Sequence, residues 1–360
     1  MTMHPSPTLS ICIPTFNRSA FLRTTLTQIS RCIAHAVGLG PNDVEVVVLD
    51  NFSTDNTAAV VKELRESIPN LHYRVSNENV GVELNIVRAL QAGAGQWIWP
   101  FGDDDILTDE ALVTILCAIA SASADCGLLL LNYGQVDQDG ITPLSRRVSD
   151  VPDGWQGELF GDQGLHTFRG SFDLLAFISA VIVRRSLLRF DTDYSAHRSY
   201  YGHVGIIAAS CAHHRVKVIG PGTMTQRQGN TRLSADEPRA ATVIINTGTF
   251  AGMTVMLKEL CEVCPQALNV YRMSCKEGLG EIEDSKVMPV LHWTFNSFAR
   301  PHLIEVMETD EATRIQDNLL AALIPLVHPS SARSAVVDFR RNWHLCRSAL
   351  VLYFNLKSAL

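Results

Sequence analysis

The chain has 360 residues, of which 46% are hydrophobic and 19% are charged, and its formal net charge is −7 at pH 7. This length allows one large domain or two of ordinary size, and the hydrophobic fraction is sufficient for a substantial core. The acidic balance excludes the overall basic field of a nucleic-acid-binding protein, so a phosphate-bearing ligand would have to be held by a local site or through a metal ion.

Apolar runs and helical patterns alternate through the first hundred or so residues. The runs predict buried strands, and apolar residues at three- and four-residue spacing between them predict helices. The predicted strands span 9–15, 43–50, 71–76 and 96–101, and the predicted helices span 18–36, 54–68 and 82–94. This order is typical of an α/β fold in which a mostly parallel, Rossmann-like sheet is covered by helices on both faces.

Polar residues follow each of these four strands. They comprise Pro14, Thr15, Asn17 and Arg18 after the first strand, Asp50, Asn51, Ser53 and Asp55 after the second, Asn77, Asn79 and Gly81 after the third, and Asp103, Asp104 and Asp105 after the fourth. In open α/β sheets, ligands bind outside the carboxyl ends of the strands. The sequence therefore predicts a binding site at one rim of the sheet.

The pattern loosens beyond the fourth strand. The remaining segments predict a strand within 126–136, a polar connection at 141–164, a strand-and-helix pattern at 173–188, and a last strand that runs into a flexible loop within 213–234. From about Ala240 onward the residues are typical of helices. We therefore predict a first domain at 1–238 and a mainly helical C-terminal region at 239–360.

The three adjacent carboxylates Asp103 to Asp105 need a positive partner, because neighbouring ionised groups repel each other. One interpretation is a hard divalent cation, Mn²⁺ or Mg²⁺, held by one or two carboxylates and bridged to substrate phosphates. The alternative is that the triplet and Asp109 form an acidic N-terminus for a helix at 108–120. We expect Asp105 to be a surface carboxylate that contributes little to stability.

Four stretches resemble the family 2 glycosyltransferases of GT-A fold, namely ICIPTFNR, VVVLDNFSTDNT, NENVGVELNIVRAL and WIWPFGDDDIL. The resemblance covers about the first 115 residues strongly and continues weakly to about residue 235. Within that group the chain looks most like bacterial enzymes of O-antigen or related surface-polysaccharide synthesis, a likeness supported by FISAVIVRRSLL and YYGHVGI. It implies a metal-dependent transfer of a hexosyl or deoxyhexosyl group from a nucleotide-diphosphate sugar to a hydroxyl of a glycan or lipid-linked glycan. On this reading, 1–238 would be the catalytic domain that binds the nucleotide sugar, and 239–360 would serve acceptor, oligomer or membrane contacts.

The resemblance also implies roles for individual residues in the nucleotide pocket. Pro14, Thr15 and Arg18 would line this pocket, and Asp50 would hydrogen-bond the nucleobase. Asn51 stands where the family often has a second aspartate.

The resemblance implies further roles nearer the sugar and the diphosphate. Asn79, Gly81 and Asn85 would shape the floor between nucleotide and sugar, although an ordinary turn is an equal alternative for the first two. Within the acidic triplet, Asp103 would face the ribose, and Asp105, with Asp104 close behind, would coordinate the metal.

The general base is where the sequence departs from this family. The family usually places the base in a Glu-Asp pair, and the comparable stretch here, RSYYGHVGIIAAS, contains no carboxylate. His203 could be the base, a further metal ligand or a core histidine with a satisfied hydrogen bond. Asp191 and Asp193, which precede this stretch, are further carboxylates that could act as the base. A catalytically degenerate binding module therefore stays an alternative, whereas a nucleotidyltransferase would need a glycine-rich loop with a lysine that PTFNRSAF lacks.

Two basic segments follow. Arg227, Asn230 and Arg232 lie in the predicted flexible loop, which would either close over the diphosphate or form a solvated surface. Residues 339–360 combine basic and aromatic side chains as a helix in a membrane interface does, and a helix packed on its own domain or in a dimer is the alternative.

The remaining features bear on the cellular compartment. The first residues do not have the basic and apolar pattern of a secretory signal, so we do not expect one, and no run approaches the roughly 18 apolar residues of a membrane-spanning helix. Cys261 and Cys264 form a CxxC pair near Cys275, but without a second pair a zinc site is disfavoured. Nine scattered cysteines do not resemble a disulfide framework. We expect a cytoplasmic protein, which could contact the inner face of the plasma membrane peripherally.

Overall fold

The computed structural model describes residues 6–40, 43–160, 174–175, 177–190, 203, 206–207 and 214–227. Nearly all of these residues belong to one compact unit, which comprises 1–192 and 213–230. The predicted boundary at 238, the region 239–360 and four predicted site residues lie outside the described residues. Those four are Asp191, Asp193, Asn230 and Arg232.

The first part of the unit alternates strands and helices, as the sequence predicts. The strands are β1 (Leu9–Thr15), β2 (Val44–Asp50), β3 (Leu71–Val75) and β4 (Trp97–Pro100). The helices are α1 (Ser19–His35), α2 (Thr57–Leu64) and α3 (Val82–Ala92). Helix α3 packs against β1, β2 and β4, and α1 packs against α2. β2 and β4 are buried at every position, which is why their sequences are mostly apolar.

The second part of the unit contains mostly short elements. It includes helix α4 (Ala111–Ala120), and two single 3-10 turns occupy Ile178–Ala180 and Arg185–Leu187. Its strands are β5 (Ile106–Leu107), β6 (Cys126–Leu131), β7 (Gly134–Val136), β8 (Pro143–Ser145), β9 (Gln156–Phe160), β10 (Val181–Arg184), β11 (Arg215–Ile219) and β12 (Met224–Arg227).

The main sheet has eight strands in the order β3-β2-β1-β4-β10-β6-β11-β9. Its first four strands are parallel, which confirms the predicted arrangement for that half. The other half is mixed, because β10 runs antiparallel to both β4 and β6, and β9 runs antiparallel to β11. The architecture is a mixed α/β sheet with flanking helices.

A second sheet of four strands, in the order β5-β12-β7-β8, corrects two predictions. Residues 126–136 form two strands in different sheets, since the buried side chain of Asn132 accepts the N–H groups of Tyr133 and Ser149 and ends the first strand. The residues around Arg227, predicted as a flexible loop, form β12, which pairs with β5 and β7. The sequences of these partner strands are too short to predict the pairing.

Large aromatic side chains along β4 and just after it belong to the core. Trp97, Trp99 and Phe101 are fully buried, and the rings of the last two meet edge to face with their centroids 4.9 Å apart. Along the described residues, no helix combines the length and the apolar character that crossing a membrane requires.

Candidate functional site

The carboxyl ends of the parallel strands meet at one rim, as predicted. Thr15 on β1 lies opposite Asp50 on β2, and the N–H of Asn51 donates to the carbonyl of Thr15 at 2.9 Å. At the end of β4, the N–H of Phe101 donates to the carbonyl of Cys12 at 2.9 Å, and the chain then turns into the acidic triplet. The rim therefore brings the polar ends of β1 and β2 beside the residues that follow β4.

Arg18 is a positive partner of the first two carboxylates of the triplet. Its Nε lies 3.1 Å from Oδ1 of Asp103, and its Nη2 forms an ion pair with Asp104. Thr15 donates from Oγ1 to Oδ2 of Asp103 at 2.6 Å, and Thr25 donates to the backbone carbonyl of Asp103 at 2.8 Å. Residues from β1 and α1 thus fix the position of Asp103.

Asp105 is only 3% exposed, so the expectation of a surface carboxylate is wrong. Ser179 donates from Oγ to Oδ2 of Asp105 at 2.5 Å. Burial raises the pKa of the Asp105 carboxyl well above its ordinary value, and the negative charge of Asp104 raises it further, against the opposing hydrogen bond from Ser179. Asp105 therefore lies at this rim in a position where its negatively charged form is electrostatically unfavourable.

The alternative of an acidic helix terminus is also wrong. Helix α4 begins at Ala111 with Glu110 in the N-cap position, so β5 separates the triplet from the helix. Asp109 forms an exposed ion pair with Arg31, with Nη2 and Oδ1 2.6 Å apart.

Gly102 permits the close approach of the triplet to the core. A Cβ atom at this position would lie 2.5 Å from Oδ2 of Asp105, closer than atoms can pack. The Gly102 N–H donates to Oγ of Ser179 at 2.8 Å. A side chain here would displace Asp105 from its hydrogen bond with Ser179.

Arg227, at the end of β12, adds a second guanidinium beside the triplet. Its Nε donates to the backbone carbonyl of Asp104 at 3.3 Å. Its Cζ lies 5.5 Å from the ring centroid of Phe21, and the Cζ of Arg18 lies 4.7 Å from the same centroid. Sequence analysis missed Phe21, because an aromatic residue in the first turn of an amphipathic helix looks like an ordinary core residue.

Asp50 is buried at the end of β2 with a partner for each oxygen. Oδ1 accepts the N–H of Ser53 at 2.9 Å, and Oδ2 accepts the hydroxyl of Tyr73 on β3. Burial and the hydrogen bond to Asp50 raise the pKa of Tyr73 above its ordinary value, which keeps its hydroxyl a proton donor. Tyr73 was not among the predicted site residues, because a tyrosine within a strand carries no functional signal.

The residues predicted for the floor of the site form a turn joined to β2. Asn79 accepts the amide of Asn51 at 2.7 Å and the N–H of Gly81 at 3.0 Å, and Gly81 has the positive φ of 86° that favours glycine. Buried Asn85 donates to the carbonyl of Leu49 at 3.0 Å. These contacts hold the start of α3 against the end of β2. Pro14 is half-buried in β1.

The structure places His203 in a buried position. Among the described residues, no group of three or more His, Cys, Asp or Glu side chains is arranged to hold a metal ion by itself.

Comparisons with known proteins agree with the resemblance read from the motifs. Residues 10–183 match the family model described as glycosyl transferase family 2. The abequosyltransferase RfbV of Salmonella typhimurium is 30% identical over 217 residues, which cover 55% of this chain and 60% of that protein. The GalNAc(5)-diNAcBac-PP-undecaprenol beta-1,3-glucosyltransferase of Campylobacter jejuni is 30% identical over 111 residues, which cover 31% of this chain and 34% of that protein. The matched region thus spans between a third and three fifths of these relatives.

Among solved structures, the chain is similar to S. aureus TarS in complex with UDP-GlcNAc, with a TM-score of 0.54 and 16% identity. The match covers 94% of this chain and 91% of that one. At this level of identity the likeness concerns the fold.

Proposed function

Because residues 10–183 match the family model of the family 2 glycosyltransferases, we propose that this protein transfers a sugar from a nucleotide-diphosphate sugar to a hydroxyl of a glycan or lipid-linked glycan, with Mn²⁺ or Mg²⁺. The observation that carries the proposal is the position of the acidic triplet. Three carboxylates lie together just after β4, beside the carboxyl end of β1, where α/β sheets bind their ligands. Two of them, Asp103 and Asp105, are buried despite their like-charged neighbours.

The chemistry of the triplet fits a hard cation. Its donors are carboxylate oxygens, the ligands that Mg²⁺ and Mn²⁺ favour, and Mg²⁺ characteristically takes further ligands from water and substrate phosphates. Asp105 would hold the ion, with Asp103 or Asp104 as the second protein ligand. A bound ion would supply Lewis-acid stabilisation of the charge that develops on the departing diphosphate.

The residues around the triplet would bind and orient the donor. Asp50 would accept a hydrogen bond from the nucleobase, while Tyr73 holds its carboxylate in place. The guanidinium groups of Arg18 and Arg227, which already lie beside the triplet, would meet phosphate oxygens as bidentate donors. Thr15 would keep Asp103 in position for the ribose.

The acceptor hydroxyl needs a general base to take up its proton, a contribution of about 10²- to 10⁴-fold in rate. His203, Asp191 and Asp193 are the residues that we propose for this role. Asn230 and Arg232 would join Arg227 at the diphosphate.

The named relatives support a more specific proposal for the donor and the acceptor. RfbV is named an abequosyltransferase and the Campylobacter relative a glucosyltransferase that acts on an undecaprenol-linked glycan, so we propose a hexosyl or deoxyhexosyl donor and a role in bacterial surface-polysaccharide synthesis. Such an acceptor favours a cytoplasmic protein in contact with the inner membrane face through residues 339–360. Co-sedimentation with anionic liposomes at low salt tests this contact, and an absence of binding would contradict it.

A thermal-shift screen of UDP- and GDP-sugars with and without Mn²⁺ tests the proposed function. A donor at a hundred times its Kd should add about 2.7 kcal/mol to the free energy of unfolding, and this gain should depend on Mn²⁺. Asp105→Asn should lose the Mn²⁺-dependent part, while the control Asp109→Asn, which alters only the exposed pair with Arg31, should retain it.

Slow hydrolysis of the bound donor should accompany the thermal shift. A shift of equal size without Mn²⁺, together with no hydrolysis, would instead identify a binding module that has lost catalysis.

A further inference from the structure

Ser179 connects the acidic triplet to a distant part of the chain. It lies in the 3-10 turn Ile178–Ala180 that leads into β10, 74 residues after Asp105, and it is fully buried. A buried hydroxyl requires partners, because leaving its hydrogen-bonding groups unpaired costs free energy.

The hydrogen bonds of Ser179 determine the direction of its hydroxyl. Oγ accepts the N–H of Gly102 at 2.8 Å and donates to Oδ2 of Asp105 at 2.5 Å. Since a serine hydroxyl has one hydrogen, that hydrogen belongs to the bond with Asp105. The backbone carbonyl of Ser179 accepts Nε1–H of buried Trp99 at 2.7 Å, which fixes the turn against β4.

We propose that Ser179 is a positioning residue that fixes the carboxylate of Asp105 in the orientation needed to bind the divalent ion. This inference rests on the proposed function. A carboxylate has about four acceptor positions, so Oδ2 can be held by Ser179 while acceptor capacity is left for a cation. Residues that orient a metal ligand typically change metal affinity by about 10- to 100-fold when they are replaced.

The opposite end of the sheet offers a matched control. Ser10 is fully buried, donates from Oγ to Oε2 of Glu45 at 2.5 Å and accepts the N–H of Gly95 at 2.8 Å. Ser10→Ala therefore removes the same two kinds of hydrogen bond as Ser179→Ala, but at a distance from the acidic triplet. Both variants should lower the melting temperature, but only Ser179→Ala should weaken Mn²⁺ binding.

The experiment is a titration of the full chain with Mn²⁺, with and without UDP, in which EPR measures the unbound ion. Ser179→Ala should weaken Mn²⁺ binding by about 10- to 100-fold, and Ser10→Ala should bind Mn²⁺ as the wild type does. Ser179→Cys, which nearly preserves the shape and is a weaker donor, should fall between the wild type and the alanine variant. It replaces the alanine variant in the test if that variant does not fold.

The possible failures are distinguishable. If Ser179→Ala and Ser179→Cys bind Mn²⁺ as tightly as the wild type while Asp105→Asn does not, Ser179 has only a structural role and the proposal is overturned, although the proposed function stands. Equal weakening in Ser10→Ala would also overturn it, because the effect would then follow from lost stability. If the wild type itself does not bind Mn²⁺, the proposed function fails together with this inference.

Discussion

At the amino ends and at the carboxyl ends of the parallel strands, the main sheet contains a buried carboxylate with nearly the same hydrogen bonds. At the amino end of β2, Glu45 lies opposite Ser10 in the strand register, accepts its hydroxyl at 2.5 Å and also accepts the N–H of Ala94 at 2.8 Å. Its other oxygen lies 3.8 Å from Nε2 of the exposed His72. Glu45 therefore fastens the connection between α3 and β4 to β2.

At the other end of the sheet, the hydroxyl–carboxylate bond between Ser179 and Asp105 has the same length, but the surrounding charges differ. Asp105 lies beside Asp103 and Asp104, and its pKa is raised by burial and by these like charges. The hydrogen-bonding pattern therefore does not distinguish the structural carboxylate of Glu45 from that of Asp105, for which we propose a role in metal binding. The two carboxylates differ in their neighbouring charges. A cluster of like charges destabilises the folded protein, so we expect such a cluster to be retained where it binds a ligand.

The largest expected effect comes from neutralising each carboxylate in turn. Asp105→Asn should lower turnover by about 10²- to 10³-fold, because charge stabilisation of the leaving group is lost, while its free energy of unfolding should be no lower than that of the wild type. Glu45→Gln should do the reverse, with near-normal turnover and a loss of about 1–3 kcal/mol of stability from weakened buried hydrogen bonds.

Urea unfolding and steady-state kinetics on both variants measure these quantities. If Asp105→Asn is destabilised as much as Glu45→Gln, then Asp105 also has a structural role and the contrast between the two ends is wrong.

A smaller effect is expected at Asp50, which shares the rim with the triplet but, like Glu45, has neutral donors. Tyr73→Phe removes one of these donors, so the KM for the donor sugar should rise by roughly two- to tenfold, the equivalent of one hydrogen bond. Mn²⁺ binding and kcat should stay close to wild type. Steady-state kinetics at varied donor concentration test this, and a change in kcat with an unchanged KM would show that Asp50 does not act in donor binding.

Much of the first half of the fold could be predicted from the sequence. Strand β1 has its predicted limits, and β2, β3 and β4 fall within theirs, because buried central strands produce continuous apolar runs that local pattern recognises. The strands β5, β8, β9 and β12 were not predicted. β8 is exposed and three residues long, and β12 exists only through its pairing with residues distant in sequence.

The residues of the candidate site likewise include some that the sequence predicts and some that it does not. The residues that follow β1, β2 and β4 could be identified because strand ends and carboxylate runs are visible in sequence. Ser179, Phe21 and Tyr73 could not, since each acts on the site through a contact that only the folded chain creates. A serine inside the apolar stretch FISAVIV was the one available signal, because a buried hydroxyl must have a partner.

The position of β10 also bears on how the protein is made. This strand fills the place between β4 and β6, through pairs such as Val183 with Ile98 and Val183 with Leu128. A nascent chain that has left the ribosome only as far as residue 115 contains all four motifs of the family resemblance. At that stage β10 has not been synthesised, so the edge of β4 that pairs with it is unpaired. Unpaired apolar edges favour aggregation. The region that carries the proposed site is therefore completed by a strand synthesised some seventy residues later.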